Sequence, residues 1–273
     1  MNKILKKTFI LFFLLFGVNN ANAKIGSADN LDSKTMQDMA YWVDKHTIII
    51  INIDDVITIP RSKMFAMGAN PNRQFISNLL SLSMQQPSYK SAIASWYQQR
   101  QIKLVDKNWI SYIEKAKAKG AIIYGLCSMP IELLNIEEKR FQELQYLGVN
   151  FTNEVNKQSQ LIISNKQKWF SSFYKGIIFT GPYSKSQTIL DFIRVTNYVP
   201  KKMLVIDSVL NELKKIDQSL KIFNMDFYNI EYLGAKNTLE KPDANIVKLQ
   251  QQQLILNSKW LEDDAAEQVV NSK

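Results

Sequence analysis

Ile48-Ile49-Ile50-Ile51-Asn52-Ile53-Asp54-Asp55-Val56 is the stretch on which the reading of this chain turns. Four consecutive β-branched residues with an abrupt polar stop are too short a run for an ordinary buried helix. An unbroken apolar run, rather than an alternating one, describes a strand covered on both faces. Such strands build parallel α/β sheets, whose ligands sit at the carboxyl ends of the strands. The polar stop at Asn52, Asp54 and Asp55 is therefore the first place to look for chemistry.

Toward the N-terminus, Asp32-Ser33 reads as a helix N-cap, followed by Met36, Met39, Ala40 and Val43 at the spacing of one buried helical face. Earlier still, Lys3, Lys6 and Lys7 precede an apolar stretch from Phe9 to Val18 and then Ala21-Asn22-Ala23, which are the three parts of a secretory signal with cleavage expected after Ala23. That stretch is well short of the ~20 residues a spanning helix needs. The mature protein is expected in the periplasm or the secreted fraction, without a transmembrane anchor. Loss of the three lysines takes the net charge from +9 to +6. Lys and Arg are scattered without a long basic block, so this charge reads as a solvated surface. Cys127 is the only cysteine and cannot form an internal disulfide.

Toward the C-terminus, residues 61–105 change texture to polar helix-forming stretches broken by Pro71 and Pro87, with Phe65, Phe75, Trp96 and Tyr97 interspersed. This predicts a helical insertion whose aromatics form its own small core. Asp106 is expected to cap a helix carrying Trp109, Ile110 and Ile113 that ends at Gly120. A strand from Ala121 to Leu126 then delivers Cys127-Ser128. Next come a helix from about Ile131 to Leu147 with Leu134, Phe141, Leu144 and Leu147 on one face, a short apolar run from Gly176 to Gly181, and a helix from Lys185 to Thr196. The strand Lys202 to Asp207 ends on a carboxylate. A further strand is expected near Leu220 to Tyr228. A long helix follows from Pro242, with Ile246, Leu249, Gln253 and Leu256 in one stripe and the run Gln250 to Gln253 on its surface. Strands alternating with helices predict an α/β, Rossmann-like parallel sheet with helices on both faces. Residues 24–60 and 106–273 form this core, and 61–105 a small helical cap inserted after the first strand motif.

Four polar stations thus fall in order at strand ends and helix starts: Asn52 with Asp54, Cys127 with Ser128, Lys185, and Asp207. Their order, with the Ile-rich strand, the runs Tyr124-Gly125-Leu126-Cys127-Ser128 and Leu144-Gln145-Tyr146-Leu147-Gly148-Val149, and Leu204-Val205-Ile206-Asp207, resembles the haloacid dehalogenase-like superfamily. The likeness is nearest to a secreted bacterial branch known mainly as a domain of unknown function, and it covers nearly the whole mature chain.

The resemblance implies phosphoryl transfer. In that family the first Asp of an Asp-x-Asp motif attacks phosphorus, and the second protonates the leaving group and then activates water. Asp54 matches the second, but Asn52 stands in the first place, and a neutral amide is a poor nucleophile. Cys127 stands where a Ser or Thr would hydrogen-bond the phosphoryl group, and a thiol is a weaker donor than a hydroxyl; Ser128 is next to it. Lys185 matches the lysine that neutralises the phosphoryl oxygens, with Lys175 as a rival that precedes its strand. Asp207 matches a ligand of the implied Mg²⁺. The donors for that ion would be Asn52, Asp54, Asp207 and, as the only acidic companion nearby, Glu212. An amide at position 52 lowers the charge of the site and weakens the ion.

The function implied is that of a phosphatase-family protein, impaired at Asn52, that acts by binding a small phosphorylated or anionic ligand or a partner. Two alternatives stand beside it. One is an active Mg²⁺-dependent phosphomonoester hydrolase with an unusual nucleophile, a water activated by Asp54 or a deamidated Asn52. The other is a basic surface-binding protein, for which Lys166-Gln167-Lys168-Trp169-Phe170 is the local basic-aromatic cluster. Export argues against nucleic acid as a partner. Arg61, Lys63 and Arg73 are the cations of the insertion placed to meet an anionic ligand.

Overall fold

A computed structural model of the protein describes residues 24–66, 71–83, 86, 88–129, 135–166, 169–237 and 240–272. The expected signal segment, Pro87, Leu134 and the Gln167-Lys168 centre of the basic-aromatic cluster lie outside the described residues.

The chain enters through an edge strand, β1 (Lys24–Ala28), and a helix, α1 (Lys34–Trp42). Ser33 Oγ accepts from the Met36 N–H at 3.4 Å, the expected N-cap bond. The Ile run becomes β2 (Thr47–Asn52), and a tight loop leads to β3 (Thr58–Pro60). Two helices, α2 (Phe75–Ser83) and α3 (Ser88–Gln99), precede β4 (Ile102–Leu104), which returns to pair antiparallel with β3. Then follow α4 (Trp109–Ala118), β5 (Ile122–Cys127), α5 (Ile136–Tyr146), a hairpin of β6 (Gln160–Lys166) and β7 (Trp169–Tyr174), β8 (Ile177–Phe179), α6 (Lys185–Thr196), β9 (Lys202–Asp207), α7 (Leu210–Leu220), β10 (Asp226–Tyr232), α8 (Ala244–Asn257) and α9 (Asp263–Asn271).

The strands form one mixed sheet in the order β1-β10-β9-β2-β5-β8-β7-β6. It is mostly parallel and flanked by helices, a Rossmann-like α/β architecture. β2 lies between β9 and β5, and its pleat sorts the Ile run between two cores. Ile49, Ile51 and Ile53 join one hydrophobic cluster, and Ile48 and Ile50 join the other. The same alternation sends Leu204 and Ile206 of β9 to the first face and Met203 and Val205 to the second. The first face is covered by α1, α4, α5 and α8, the second by α6 and α7. Each such isoleucine contributes about 1.5–3 kcal/mol on burial.

The expected parallel sheet is borne out in its central strands, with β7 pairing antiparallel to both β6 and β8. Several other expectations are corrected. The strand expected near Leu220 to Tyr228 is β10 instead: Leu213, Ile216 and Leu220 bury one face of α7, and pairing with β9 selects Asp226 to Tyr232. Gln250 is not on the surface of the long helix but fully buried. Its Nε2 donates to Asp263 Oδ1 at 2.8 Å, Leu261 O at 3.0 Å and Ser62 Oγ at 3.2 Å, tying α8 to α9 and to the start of the insertion. Leu256, expected on the buried stripe, is exposed.

Nor do the aromatics of residues 61–105 form a core of their own. Phe65, Trp96 and Tyr97 belong to the cluster on the first face of the sheet. The Phe65 ring lies 5.4 Å from Trp96 and 5.8 Å from Trp260, so the C-terminal segment packs against residues 61–105.

The tightest packing under the site is at Gly125 in β5. A Cβ there would lie 2.5 Å from Phe151 Cε2 and 2.9 Å from Ile53 Cδ1. Gly125→Ala is expected to cost about 1–3 kcal/mol through overpacking. Urea denaturation checks this as a lower midpoint at unchanged slope.

Candidate functional site

Parallel pairing brings the ends of three central strands to one edge. Asn52 is opposite Leu126, one residue before Cys127, and Ile51 is opposite Ile206, one residue before Asp207. Beyond β2 the chain turns sharply. The Ile57 N–H returns to Ile53 O at 3.0 Å, the Asp55 N–H donates to Thr58 O at 2.8 Å, and Asp55 adopts a left-handed φ of 63°. This turn lifts the Asp54 side chain to the surface, where it is 42% exposed.

Asn52 is buried, and its Nδ2 donates to the backbone carbonyl of Asp54 at 2.6 Å. Asp54 Oδ1 accepts from Arg140 Nη2 at 2.6 Å, and its Oδ2 accepts a long contact from Cys127 Sγ at 3.9 Å. Lys185, in the first turn of α6, donates to Asp207 Oδ2 at 2.6 Å, while Asp207 Oδ1 accepts the Val209 N–H at 3.0 Å. Asp207 is fully buried. Ser128 is exposed. Glu212 lies on α7 with its carboxylate on Lys215 Nζ at 2.6 Å and shares no hydrogen bond with Asp207. Lys175, the rival to Lys185, pairs with Glu138 at 3.1 Å. Asn52, Asp54 and Cys127 are thus linked directly, Lys185 and Asp207 form a second pair beside them, and Glu212 stands apart.

The residue that sequence reasoning missed is Arg140. Its side chain is wholly buried, and besides Asp54 it donates to Thr58 Oγ1 at 2.9 Å and to Glu143 Oε2 at 2.9 Å. Glu143 also accepts from Arg100 Nη2 at 3.2 Å, and the Arg100 guanidinium lies over the rings of Trp96 and Tyr97 at 4.6 and 4.9 Å. From residues 61–105, Arg73 reaches Asp55 Oδ2 at 2.6 Å. The only signal for this network was the pair Arg140 and Glu143 at i, i+3, which on an ordinary helix is a surface ion pair. On α5 both face inward with Ile136 and Leu144.

Every carboxylate of the cluster therefore has a cationic partner: Asp54 with Arg140, Asp55 with Arg73, Glu143 with Arg100 and Arg140, and Asp207 with Lys185. Burial alone would raise the Glu143 pKa, but the two arginines outweigh it and hold the carboxyl below its ordinary range. Burial, reinforced by the charge of Asp54, pushes the Cys127 thiol up to about 12. It is a neutral donor and not a thiolate.

Tested against these contacts, the donors implied for Mg²⁺ do not fit that ion. Mg²⁺ takes anionic oxygens in a strict octahedron. Here Asn52 turns an N–H toward the carbonyl it would share with the metal, both oxygens of Asp207 carry proton donors, and Glu212 is held by Lys215. Among the described residues, no group of three or more His, Cys, Asp or Glu side chains is placed to hold a metal ion. Among the same residues, no helix is long and apolar enough to cross a membrane.

Residues 29–267 match the family model described as "Protein of unknown function (DUF2608)". The chain is 32% identical to the "Uncharacterized protein RP296" of Rickettsia prowazekii (strain Madrid E), over 99% of this chain and 98% of that one. It is 27% identical to an uncharacterised protein of Rickettsia felis over 36% of this chain and 34% of the relative. Among solved structures, it is similar to a class C acid phosphatase from Bacillus anthracis with tungstate bound, with a TM-score of 0.33 and 13% identity over 81% of this chain and 82% of that one.

Two outcomes follow from the site. Glu143→Gln leaves two buried guanidinium groups without their carboxylate and is expected to cost about 3–5 kcal/mol at neutral pH. Because the folded pKa of Glu143 is depressed, its contribution is fully present above the ordinary value of 4.5 and is lost as pH falls through the folded value. Urea melts of wild type and variant should converge on acidification. Cys127 should stay unreactive toward iodoacetamide in the native protein at mildly alkaline pH and react promptly in urea, as mass spectrometry will read.

Proposed function

The chain belongs to the DUF2608 family, and we propose that within it this protein is a haloacid dehalogenase-like scaffold that binds an anionic, phosphate-bearing ligand without hydrolysing it. One observation carries this reading: the side chain at the nucleophile position is an amide, and it is engaged as a donor to Asp54 O at 2.6 Å. A carboxylate there would present a lone pair to phosphorus. The amide presents none of comparable strength, and its orientation is held by the bond it makes.

Binding is supported by what remains. Lys185 has three donors, of which Asp207 takes one. It opens α6, whose first N–H groups and dipole favour an anion at the same spot. Cys127 contributes bulk and a weak donor where a hydroxyl would hold a reacting phosphoryl group. Arg73 reaches the site from residues 61–105, which supports a covering role for that segment. With an exported mature form, the ligand would be met in the periplasm or outside the cell.

With Mg²⁺ supplied, the purified wild type is expected to release no nitrophenol from p-nitrophenyl phosphate above the rate without protein. It is expected to bind inorganic phosphate in isothermal titration, and Lys185→Met should weaken that binding about tenfold or more, the worth of one charge-assisted hydrogen bond. Turnover by the wild type that Asp54→Asn abolishes would overturn the reading.

A further inference from the structure

We propose that a fixed proton donor, the Asn52 amide on the Asp54 carbonyl, takes the place that the resemblance gives to a divalent cation, and that the Arg140 guanidinium on the Asp54 carboxylate supplies the positive charge beside it. The proposal rests on reading these strand ends as a haloacid dehalogenase-like site, and it adds what balances the charge there.

The geometry makes the exchange specific. In the implied metal site, the side-chain oxygen at position 52, the carbonyl of Asp54 and the carboxylate of Asp207 would all converge on one ion. In this chain the side chain of residue 52 and the Asp54 carbonyl are 2.6 Å apart. Two oxygens cannot approach so closely unless a proton or a cation lies between them, and the N–H of Asn52 supplies the proton. Asp207 is satisfied separately by Lys185 and the Val209 N–H.

Arg140 supplies the remaining charge. It is a permanent cation that cannot leave, since its side chain is wholly buried and three different side chains hold it. Glu143 is itself pinned by Arg100, so the guanidinium cannot swing away to admit an ion. An amide at position 52 removes one negative charge and Arg140 neutralises another. What is left is Asp54 Oδ2, whose contact is the long one from Cys127, and a single such oxygen does not make the octahedral set that Mg²⁺ takes.

The test is Mn²⁺, used as a paramagnetic probe for Mg²⁺, titrated into the purified protein. Electron paramagnetic resonance reads free ion, and thermal melts are run in parallel. Wild type is expected to leave the Mn²⁺ signal undiminished and to melt at the same temperature with and without the ion. Asn52→Asp places two unprotonated oxygens together and is expected to gain saturable binding of one Mn²⁺. Arg140→Met is expected to melt lower than wild type and to be raised by Mn²⁺, a response that mere loss of packing does not produce.

Saturable Mn²⁺ binding by the wild type that Asp54→Asn releases would overturn the proposal. So would an Asn52→Asp variant blind to Mn²⁺, or a folded Arg140→Met variant whose melting ignores the ion. If Arg140→Met does not fold, the other two arms still decide. A wild type that binds Mn²⁺ yet hydrolyses nothing refutes this proposal alone. One that hydrolyses phosphomonoesters without binding Mn²⁺ refutes only the binding function above.

Discussion

A guanidinium buried away from water needs acceptors, and Arg140 draws them to both of its terminal nitrogens from separate parts of the chain, while its Nε has no partner among the described residues. Asp54 and Thr58, on the turn after the central strand, take one end of it, and Glu143 on the same helix takes the other. Glu143 in turn draws in Arg100 from the end of α3, where the rings of Trp96 and Tyr97 shield the second guanidinium. Desolvating two arginines and a glutamate is costly, and only a nearly complete set of partners offsets that cost. The strand end, α5 and the end of α3 are therefore tied to one another. Motion of the end of α3 away from α5 would break the buried pair of Arg100 and Glu143.

The same network explains why a single amide changes the character of the site. With an acid at position 52, the turn would carry more negative charge than its cations balance, and an external cation would be required. With Asn52 the acids and bases are matched within the chain. The result is a neutral cluster of paired charges, with Lys185 and Asp207 as one of its pairs. Cys127 fits this picture: it is buried against Asp54, and burial raises its pKa.

Much of the scaffold was legible from residues alone. The limits of α6 and β9 agree with the pattern of polar cap, apolar face and carboxylate stop, and β2 emerges where four isoleucines demand two covered faces. Local periodicity failed where partners are distant in sequence. The β6–β7 hairpin has a mixed texture, with Ser164, Ser171 and Ser172 among its apolar residues, and it is stabilised by pairing and by Glu137 and Glu138 of α5 meeting Ser172 and Tyr174. β10 was displaced by several residues because Leu220 belongs to the face of α7, while the strand itself is chosen by the register of β9. Gln250 looked like surface because amides usually are, and it is buried because Ser62 and Asp263 happen to converge on it.

By itself, the sequence determined the central strands β2, β5 and β9 and the polar residues at their carboxyl ends, the amide of Asn52 among them, because these depend on residue type and on spacing within one element. Only the tertiary structure decided the charge balance of the site. Arg140 lies 86 residues from Asp54, and its placement on the inward face of α5 runs against the rule that charged residues face water. That inversion is stable only where Asp54, Thr58 and Glu143 meet it in space, a coincidence of folding that no local pattern encodes.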